Sequence, residues 1–392
     1  MKNNLELVES DFIEDKYSRL KLIPWWSQEL LAHSKIMVVG AGAIGNELIK
    51  NLALLGIGNI YIIDMDIIEE TNLTRSILFR KRDVGRFKAE VAAERAIEIN
   101  EDIATKAYNF NVIQDIGLGF FRRMDIVLGG LDNREARLAI NQACYKVNKP
   151  WIDGAIEVLN GFARVFIPPE GACYECTMSE TDWKLLNKRK SCSLLTNEEM
   201  ASGKIPTTST SASIIAGIQV QEMLKLLHSD RKLPVLCGKG YVFNGLTHDS
   251  YIVEYQRKKN CMSHATIDVI EEKPWSVFTE SLRSVLNFIK KEMGIDAILE
   301  FDRDIAIESH CPCGEKVELF IPVNKLQKEN LSCPKCGELM FFDSIHTLNG
   351  TEKFLDKTFS DIGIPPLHII NGRNGLIEKY YEFSSDEKEL MD

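Results

Sequence analysis

KIMVVGAGAIGNELIKNLALLGIGNIYIIDMDIIEETN, residues 35–72, is the stretch whose reading decides the fold. Ile36-Met37-Val38-Val39 is an apolar run too short for a helix and bounded by glycine, which predicts a buried parallel strand. Gly40-Ala41-Gly42-Ala43-Ile44-Gly45 follows at once. In that pattern Gly40 permits a tight turn, Gly42 lets backbone N–H groups approach a phosphate, and Gly45 lets the next helix pack close on the strand. Ile44, Leu48, Leu52 and Leu55 then recur at helical spacing. The positive end of that helix dipole points at any anion on the turn. A second strand, Ile60–Ile63, ends in Asp64, where a carboxylate can accept hydrogen bonds from a ribose. Strand, glycine turn, helix, strand and acid together predict a nucleotide site.

Outward from there, residues 35–170 alternate between strand-like runs (Asp125–Leu128, Trp151–Asp153, Phe162–Ile167) and helical ones (Asn133–Val147). The alternation predicts an α/β domain with a mostly parallel, Rossmann-like sheet and helices on both faces. Residues 1–34 read as a helical lead-in, and residues 35–271 as the nucleotide domain with a polar crossover loop at about 177–206. The run Pro206–Ser211 caps a mostly buried helix over Ala212–Leu227. Residues 272–392 form a second, small α+β module. It has an amphipathic helix through Phe278, Leu282, Val285, Leu286 and Ile289, strands at Ala297–Phe301, Val317–Val323, Leu339–Ile345 and Lys379–Phe383, and a helix near Lys353–Ile362. The polar tail from Ser384 is expected to be disordered.

The 392 residues are 45% apolar, with a formal charge of −10. That balance argues against a nucleic-acid partner, which needs a basic face. No window is apolar enough to span a bilayer, and the polar start MKNNLELVESDF is not a secretory signal, so no membrane role and a cytoplasmic location are expected. Ten cysteines then favour metal ligands over disulfides.

The ordered motifs Asp64-Met65-Asp66, Asn72-Leu73-Thr74-Arg75, Gly85-Arg86-Phe87-Lys88 and Leu131-Asp132-Asn133 resemble the ThiF/MoeB/HesA superfamily, over about Tyr17–His264. The resemblance implies an enzyme that adenylates the C-terminal glycine of a ubiquitin-like or sulfur-carrier protein with MgATP. Attack of a carboxylate on a phosphate is anion on anion, so the triphosphate charge must be spread and held. By the resemblance Arg75 and Lys88 bind the triphosphate, Asp132 holds Mg²⁺, Asp64 takes the ribose, and Asn72 lies beside the nucleotide. Gly40, Gly42, Ala43, Gly45, Asp66 and Asn133 complete the nucleotide-binding set, Ala43 standing where many relatives have glycine. Arg19 resembles an arginine finger supplied by the partner subunit, which implies a homodimer. Taken singly, Arg75 or Lys88 reads more readily as a solvated charge, and Asp132 as a helix cap; their joint occurrence in this order carries the functional reading.

Cys173-x-x-Cys176 and Cys261-x-x-His264 offer three thiolates and an imidazole, a closed tetrahedral Zn²⁺ set. Relatives usually carry a fourth cysteine where His264 stands. Cys311-Pro-Cys313-Gly and Cys333-Pro-Lys-Cys336-Gly predict a second structural zinc, a ribbon whose metal stabilises the small module. Cys144 and Cys237 read as inert. Cys192 is different: Arg189 and Lys190 favour its thiolate. Its position between the CxxC pair and Pro206-Thr207-Thr208 resembles that of the catalytic cysteine on the crossover loop of compact activating enzymes.

Four functions are weighed. The first is a ubiquitin-like-modifier-activating enzyme that adenylates the modifier, captures it as a thioester on Cys192 and passes it to a conjugating enzyme. The others are a sulfur-carrier adenylyltransferase of the thiamine or molybdenum-cofactor type, a silent scaffolding subunit, and an NAD-dependent oxidoreductase. The retained Arg75, Lys88 and Asp132 oppose the third, and the zinc sites leave the fourth unexplained. The module at 272–392 is expected to recruit the conjugating enzyme or the modifier, so that its deletion spares adenylation.

Overall fold

A computed structural model describes residues 14–184 and 206–391. Its first sheet has eight strands in the order β3-β2-β1-β4-β5-β6-β7-β8. β1 (Lys35–Val39), β2 (Asn59–Ile63), β3 (Ala104–Tyr108), β4 (Ile126–Gly129) and β5 (Trp151–Glu157) run parallel. β6 (Asn160–Phe166), β7 (Lys239–Asn244) and β8 (Asp249–Glu254) continue it as an antiparallel meander. The sheet is therefore mixed; the short β5–β6 and β7–β8 loops permit only antiparallel pairing.

Strand alternation sorts the core into two layers. Ile36, Val38, Ile60, Ile62 and Leu128 face α2 (Ala43–Leu55), α3 (Lys88–Ile99) and a long helix at Ser209–Leu227. Met37, Val39, Tyr61, Ile63 and Val127 face the opposite layer, with Phe120 and Phe121 of α4 (Leu118–Arg122) and Ile140 and Tyr145 of α5 (Arg134–Lys146). Both faces are covered, which explains why these strands read as unbroken apolar runs. Ahead of them lie a 3-10 turn at Leu20–Leu22 and α1 (Gln28–His33), with Trp25 packed edge-on against His228 at 5.2 Å between ring centres. Thr208 caps the long helix by accepting from Ser211 N. We call that helix α7, after the short α6 (Tyr174–Thr177). No helix among the described residues is long and apolar enough to cross a membrane.

The second sheet has the order β11-β10-β13-β14-β9, with β12 also paired to β10. Its strands are β9 (Ile270–Lys273), β10 (Ile298–His310), β11 (Lys316–Pro322), β12 (Phe341–Leu348), β13 (Ile369–Asn374) and β14 (Ile377–Phe383). Helix α8 (Leu282–Met293) lays Leu282, Val285, Leu286 and Ile289 on it. Ser281 caps α8, so Phe278 precedes the helix and is half exposed rather than part of its apolar face.

Two further sequence expectations fail here. No α-helix forms near Lys353–Ile362; only Ser360–Ile362 makes a 3-10 turn. The carbonyls of Leu355 and Lys357 instead accept from Arg283 N and Leu282 N at the start of α8, so the segment satisfies a neighbour's orphan donors in place of its own. The tail is also ordered through Met391: Asp386 accepts from Val277 N, and α9 (Glu387–Met391) buries Met391.

The two sheets share core. Leu367, Ile369 and Met391 join the cluster that holds Tyr108, Phe120 and Trp151. Gly119 N donates to Leu367 O at 2.8 Å, and a Cβ on Gly119 would lie 2.5 Å from that oxygen. Arg122 and Arg123 both donate to Glu382, which is fully buried, and reach on to Glu272 and Glu387.

Candidate functional site

β1 and β4 are neighbours, yet β1 leads into α2 on one face and β4 into α5 on the other. Their carboxyl ends therefore open a crevice at the switch in strand order, where open α/β sheets bind ligands. Gly40 forms the turn with φ +90°, and a Cβ there would sit 2.6 Å from Gly130 O. A Cβ on Gly45 would sit 1.8 Å from Gly40 O, so α2 lies directly on the turn. Gly42 differs: its φ is −75° and a Cβ would meet no atom within 4 Å. It is the N-cap of α2 and faces the open side, where the helix dipole favours an anion. Ala43 is the first helical residue and needs no glycine.

Asp64 ends β2 with both carboxylate oxygens engaged, by Ala41 N at 2.7 Å and Asp66 N at 2.8 Å. Burial pushes its pKa above the ordinary carboxylate value, against the pull of Lys88 and these two amides. Each oxygen keeps lone pairs for a further donor. Lys88 opens α3, and its Nζ lies 2.8 Å from Asp66 Oδ2, so Asp66 holds the lysine beside Asp64.

Asn72 and Arg75 lie on one segment. Asn72 Oδ1 accepts from Glu69 N, and Arg75 Nη1 donates to Thr71 O. No carboxylate pairs with Arg75 among the described residues. The cap of α5 is Asn133, which accepts from Ala136 N at 2.8 Å, and not Asp132. The Asp132 carboxylate is exposed, with Asn133 Nδ2 at 3.2 Å, and is not consumed by capping.

Behind this turn lies a network that sequence reading missed. Asp153, fully buried at the end of β5's parallel pairing, takes Arg137 Nε at 2.8 Å and Arg164 Nε at 3.0 Å. Arg137 also donates to Leu131 O, beside Asp132. Arg164 continues to Thr177 Oγ1 in α6. Gln219 of α7 donates to Gly129 O and Ile152 O, bracing the same strand ends. The only sequence signal was an arginine one helical turn after the Asn133 cap and an aspartate ending a strand.

Arg19 lies elsewhere. It is exposed, and Tyr17, two residues earlier, packs against Gly56, the C-cap of α2. The 13 residues of α2 separate that end from the glycine turn by about 20 Å.

Cys173, Cys176, Cys261 and His264 bring their ligand atoms within 4.8 Å of one another, and so do Cys311, Cys313, Cys333 and Cys336. In the first cluster Cys173 Sγ lies 3.7 Å from Cys176 Sγ and 3.5 Å from Cys261 Sγ, with His264 Nε2 3.3 Å from Cys176 Sγ. In the second, Cys311–Cys336 and Cys313–Cys333 stand at 3.5 and 3.6 Å. Tetrahedral Zn–S bonds of about 2.3 Å set sulfurs nearly 3.8 Å apart, so both donor sets fit zinc. Burial pushes the Cys173 thiol up, a cost that a bound dication reverses. Cys144 is fully buried with its thiol pushed well up by burial, the inert cysteine expected. Cys192, Arg189 and Lys190 lie outside the described residues.

The sequence model of the ThiF family matches residues 14–263. The NEDD8-activating enzyme E1 catalytic subunit of Arabidopsis thaliana is 40% identical over 168 residues, 40% of this chain and 37% of that protein. SUMO-activating enzyme subunit 2 of Dictyostelium discoideum is 41% identical over 143 residues, 36% of this chain and 22% of that protein. The chain thus spans well under half the length of these two relatives. Ubiquitin-like modifier-activating enzyme 5 of Dictyostelium discoideum is 28% identical over 299 residues, 71% of this chain and 75% of that protein. Among solved structures, E. coli MccB with ATP has a TM-score of 0.54 at 23% identity, covering 65% of this chain and 75% of that one, a likeness of fold.

Proposed function

The chain belongs to the ThiF family, and from that premise we propose that it activates a ubiquitin-like protein by adenylating its C-terminal glycine. One observation carries the reading: the α2 N-terminus, Asp64 with Lys88, and an uncommitted Asp132 all stand at the carboxyl ends of β1, β2 and β4. The relatives named for NEDD8, SUMO and ubiquitin-like modifiers support the substrate class.

In this reading the terminal carboxylate attacks the α-phosphorus of ATP. A new P–O bond forms, the bond to the β-phosphate breaks, and pyrophosphate leaves with the negative charge. Gly42 and Ala43 N–H, Lys88 and Arg75 hold the phosphates as that charge shifts. Asp132 is the carboxylate that would hold Mg²⁺, whose role is to neutralise phosphate charge. The Cys192 thiolate then attacks the acyl carbon, AMP departs, and a thioester remains for a conjugating enzyme. Both zinc sets are structural, since all four donors of each come from the chain and leave no open position.

Arg19 is too far from its own glycine turn to act there, so it is assigned to the phosphates of a second copy. Mixing Arg19→Ala and Lys88→Ala chains, each impaired alone at limiting ATP, should restore part of the activity, because one site of the mixed dimer is intact.

The decisive test is exchange of labelled pyrophosphate into ATP with candidate carriers ending in glycine. Exchange should vanish in Asp132→Ala. Cys192→Ala should keep exchange and lose the thiol-sensitive modifier adduct; an undiminished adduct removes Cys192 from the scheme. A thiocarboxylated carrier as product would instead favour the sulfur-carrier reading. Recruitment of a conjugating enzyme or of the modifier itself stays assigned to residues 272–392. Deleting them cannot test it, because their removal would uncover Phe120, Tyr108 and two arginines.

A further inference from the structure

Asn46, in the first turn of α2, is fully buried and carries three hydrogen bonds. Its Nδ2 donates to Ala41 O at 2.7 Å and to Gly42 O at 3.1 Å. Its Oδ1 accepts from Leu78 N at 2.8 Å. A flipped amide would set an N–H against the Leu78 N–H and an oxygen against two carbonyls, so this orientation is fixed by its partners.

A trans peptide holds its C=O and N–H on opposite sides of one plane. Anchoring the Ala41 carbonyl therefore turns the Gly42 N–H away from Asn46, and the Gly42 carbonyl, held both by the Asn46 amide and by the Asn46 backbone N–H at 2.9 Å, does the same for the Ala43 N–H. Among the described residues neither N–H donates to an acceptor, whereas the Ala41 N–H is spent on Asp64. Gly42 lies on the side where an added methyl would meet nothing within 4 Å. The third bond ends on Leu78, which with Phe79 roots the segment carrying Asn72 and Arg75 in the core.

We propose that Asn46 is the positioning residue of the phosphate site: its buried amide aims the outward Gly42 N–H, shares with the helix backbone in aiming that of Ala43, and fixes the Arg75 segment in the same frame. This rests on the nucleotide reading above and adds to it the residue that sets the geometry. Replacing Asn46 should weaken ATP while sparing the carrier protein, a split that simple destabilisation would not produce.

The test uses the full chain in a graded series. Asn46→Ser can still donate to the i−4 carbonyl of Gly42 but abandons Leu78; Asn46→Ala loses all three bonds. The Kd for ATP by titration calorimetry should rise about tenfold or more in Asn46→Ala, one lost hydrogen bond's worth or more. Asn46→Ser should fall between. In the exchange assay KM for ATP should rise and KM for the carrier should not. Exchange of the Leu78 amide proton, read without nucleotide, should speed up in both variants. An Asn46→Ala chain that melts as the wild type does and binds ATP equally well overturns the proposal, and so does an equal rise in both KM values. Should that variant fail to fold, a folded Asn46→Ser with unchanged Kd and faster Leu78 exchange overturns it as well. A wild-type chain that binds no ATP instead brings down the proposed function itself. The Leu78 readout still reports the tether in that case, so the two failures are told apart.

Discussion

The two sheets use the same materials to opposite ends. In the first, parallel strands are sealed on both faces, and Gly42, Asp64, Lys88 and Asp132 gather where β1, β2 and β4 stop. In the second, mostly antiparallel strands, with β9 parallel to β14, carry α8, a cysteine cluster at the far tip, and exposed Phe341 and Leu376. None of the candidate nucleotide residues lies on it. What joins them is the opposite of a tether: shared apolar core and a buried glutamate between two arginines. A sheet can thus carry none of the candidate nucleotide residues and still be part of the unit that holds them.

The sharpest way to break that contrast is at the seam. Glu382→Gln leaves Arg122 and Arg123 facing a neutral group, which should cost about 3–5 kcal/mol, the usual effect of removing one partner from a buried pair. Urea unfolding should remain a single transition at a lower midpoint; two separate transitions would show that the sheets fold independently. The cysteine clusters should separate the sheets next. Cys333→Ser should lower bound zinc from two to one per chain by elemental analysis while pyrophosphate exchange continues. Cys173→Ser should also remove one zinc but abolish exchange as well, because Cys173 is packed in the core with Trp151 and Tyr145.

Single charges give a smaller contrast. Lys88→Ala should weaken ATP by about tenfold to a hundredfold, the worth of a charge-assisted hydrogen bond. Lys316→Ala, on the second sheet, removes only an exposed pair with Glu308 and should leave ATP binding unchanged by calorimetry. The smallest effect is in pH. The carboxyl of Asp64 is raised, so its ionised, accepting form is present above that raised value and lost as pH falls through it. Nucleotide affinity should therefore begin to fall on acidification before the ordinary aspartate value of about 3.9 is reached. The comparison is with Asp64→Asn, in which this component of the fall should be missing.

Most of the first sheet was legible because its signals are local. A strand bounded by glycine, a helix at 3.6-residue spacing and an acid at a strand end each declare themselves within a few residues. The second sheet was harder, since β10 runs 13 residues through polar and apolar positions alike and makes different partners along its length. Residues 353–362 carry helical spacing, but their carbonyls go to α8. At the site, Lys88 and Asp64 were readable from motif spacing. Asn46, Asp153 and Arg164 were not, because each acts by joining segments far apart in sequence. The cap of α5 was misplaced by one residue as an alternative for Asp132, and the correction leaves that carboxylate available.

Gly40, Gly45 and Gly130 meet backbone to backbone, with no side chain between the turn, α2 and the end of β4. A crowded core can often be repaired by trimming a neighbour, but here every neighbour is already the smallest residue there is. Suppressor genetics should therefore find the crossing barren: an alanine at Gly45 ought to revert to glycine far more often than it is rescued from a second site.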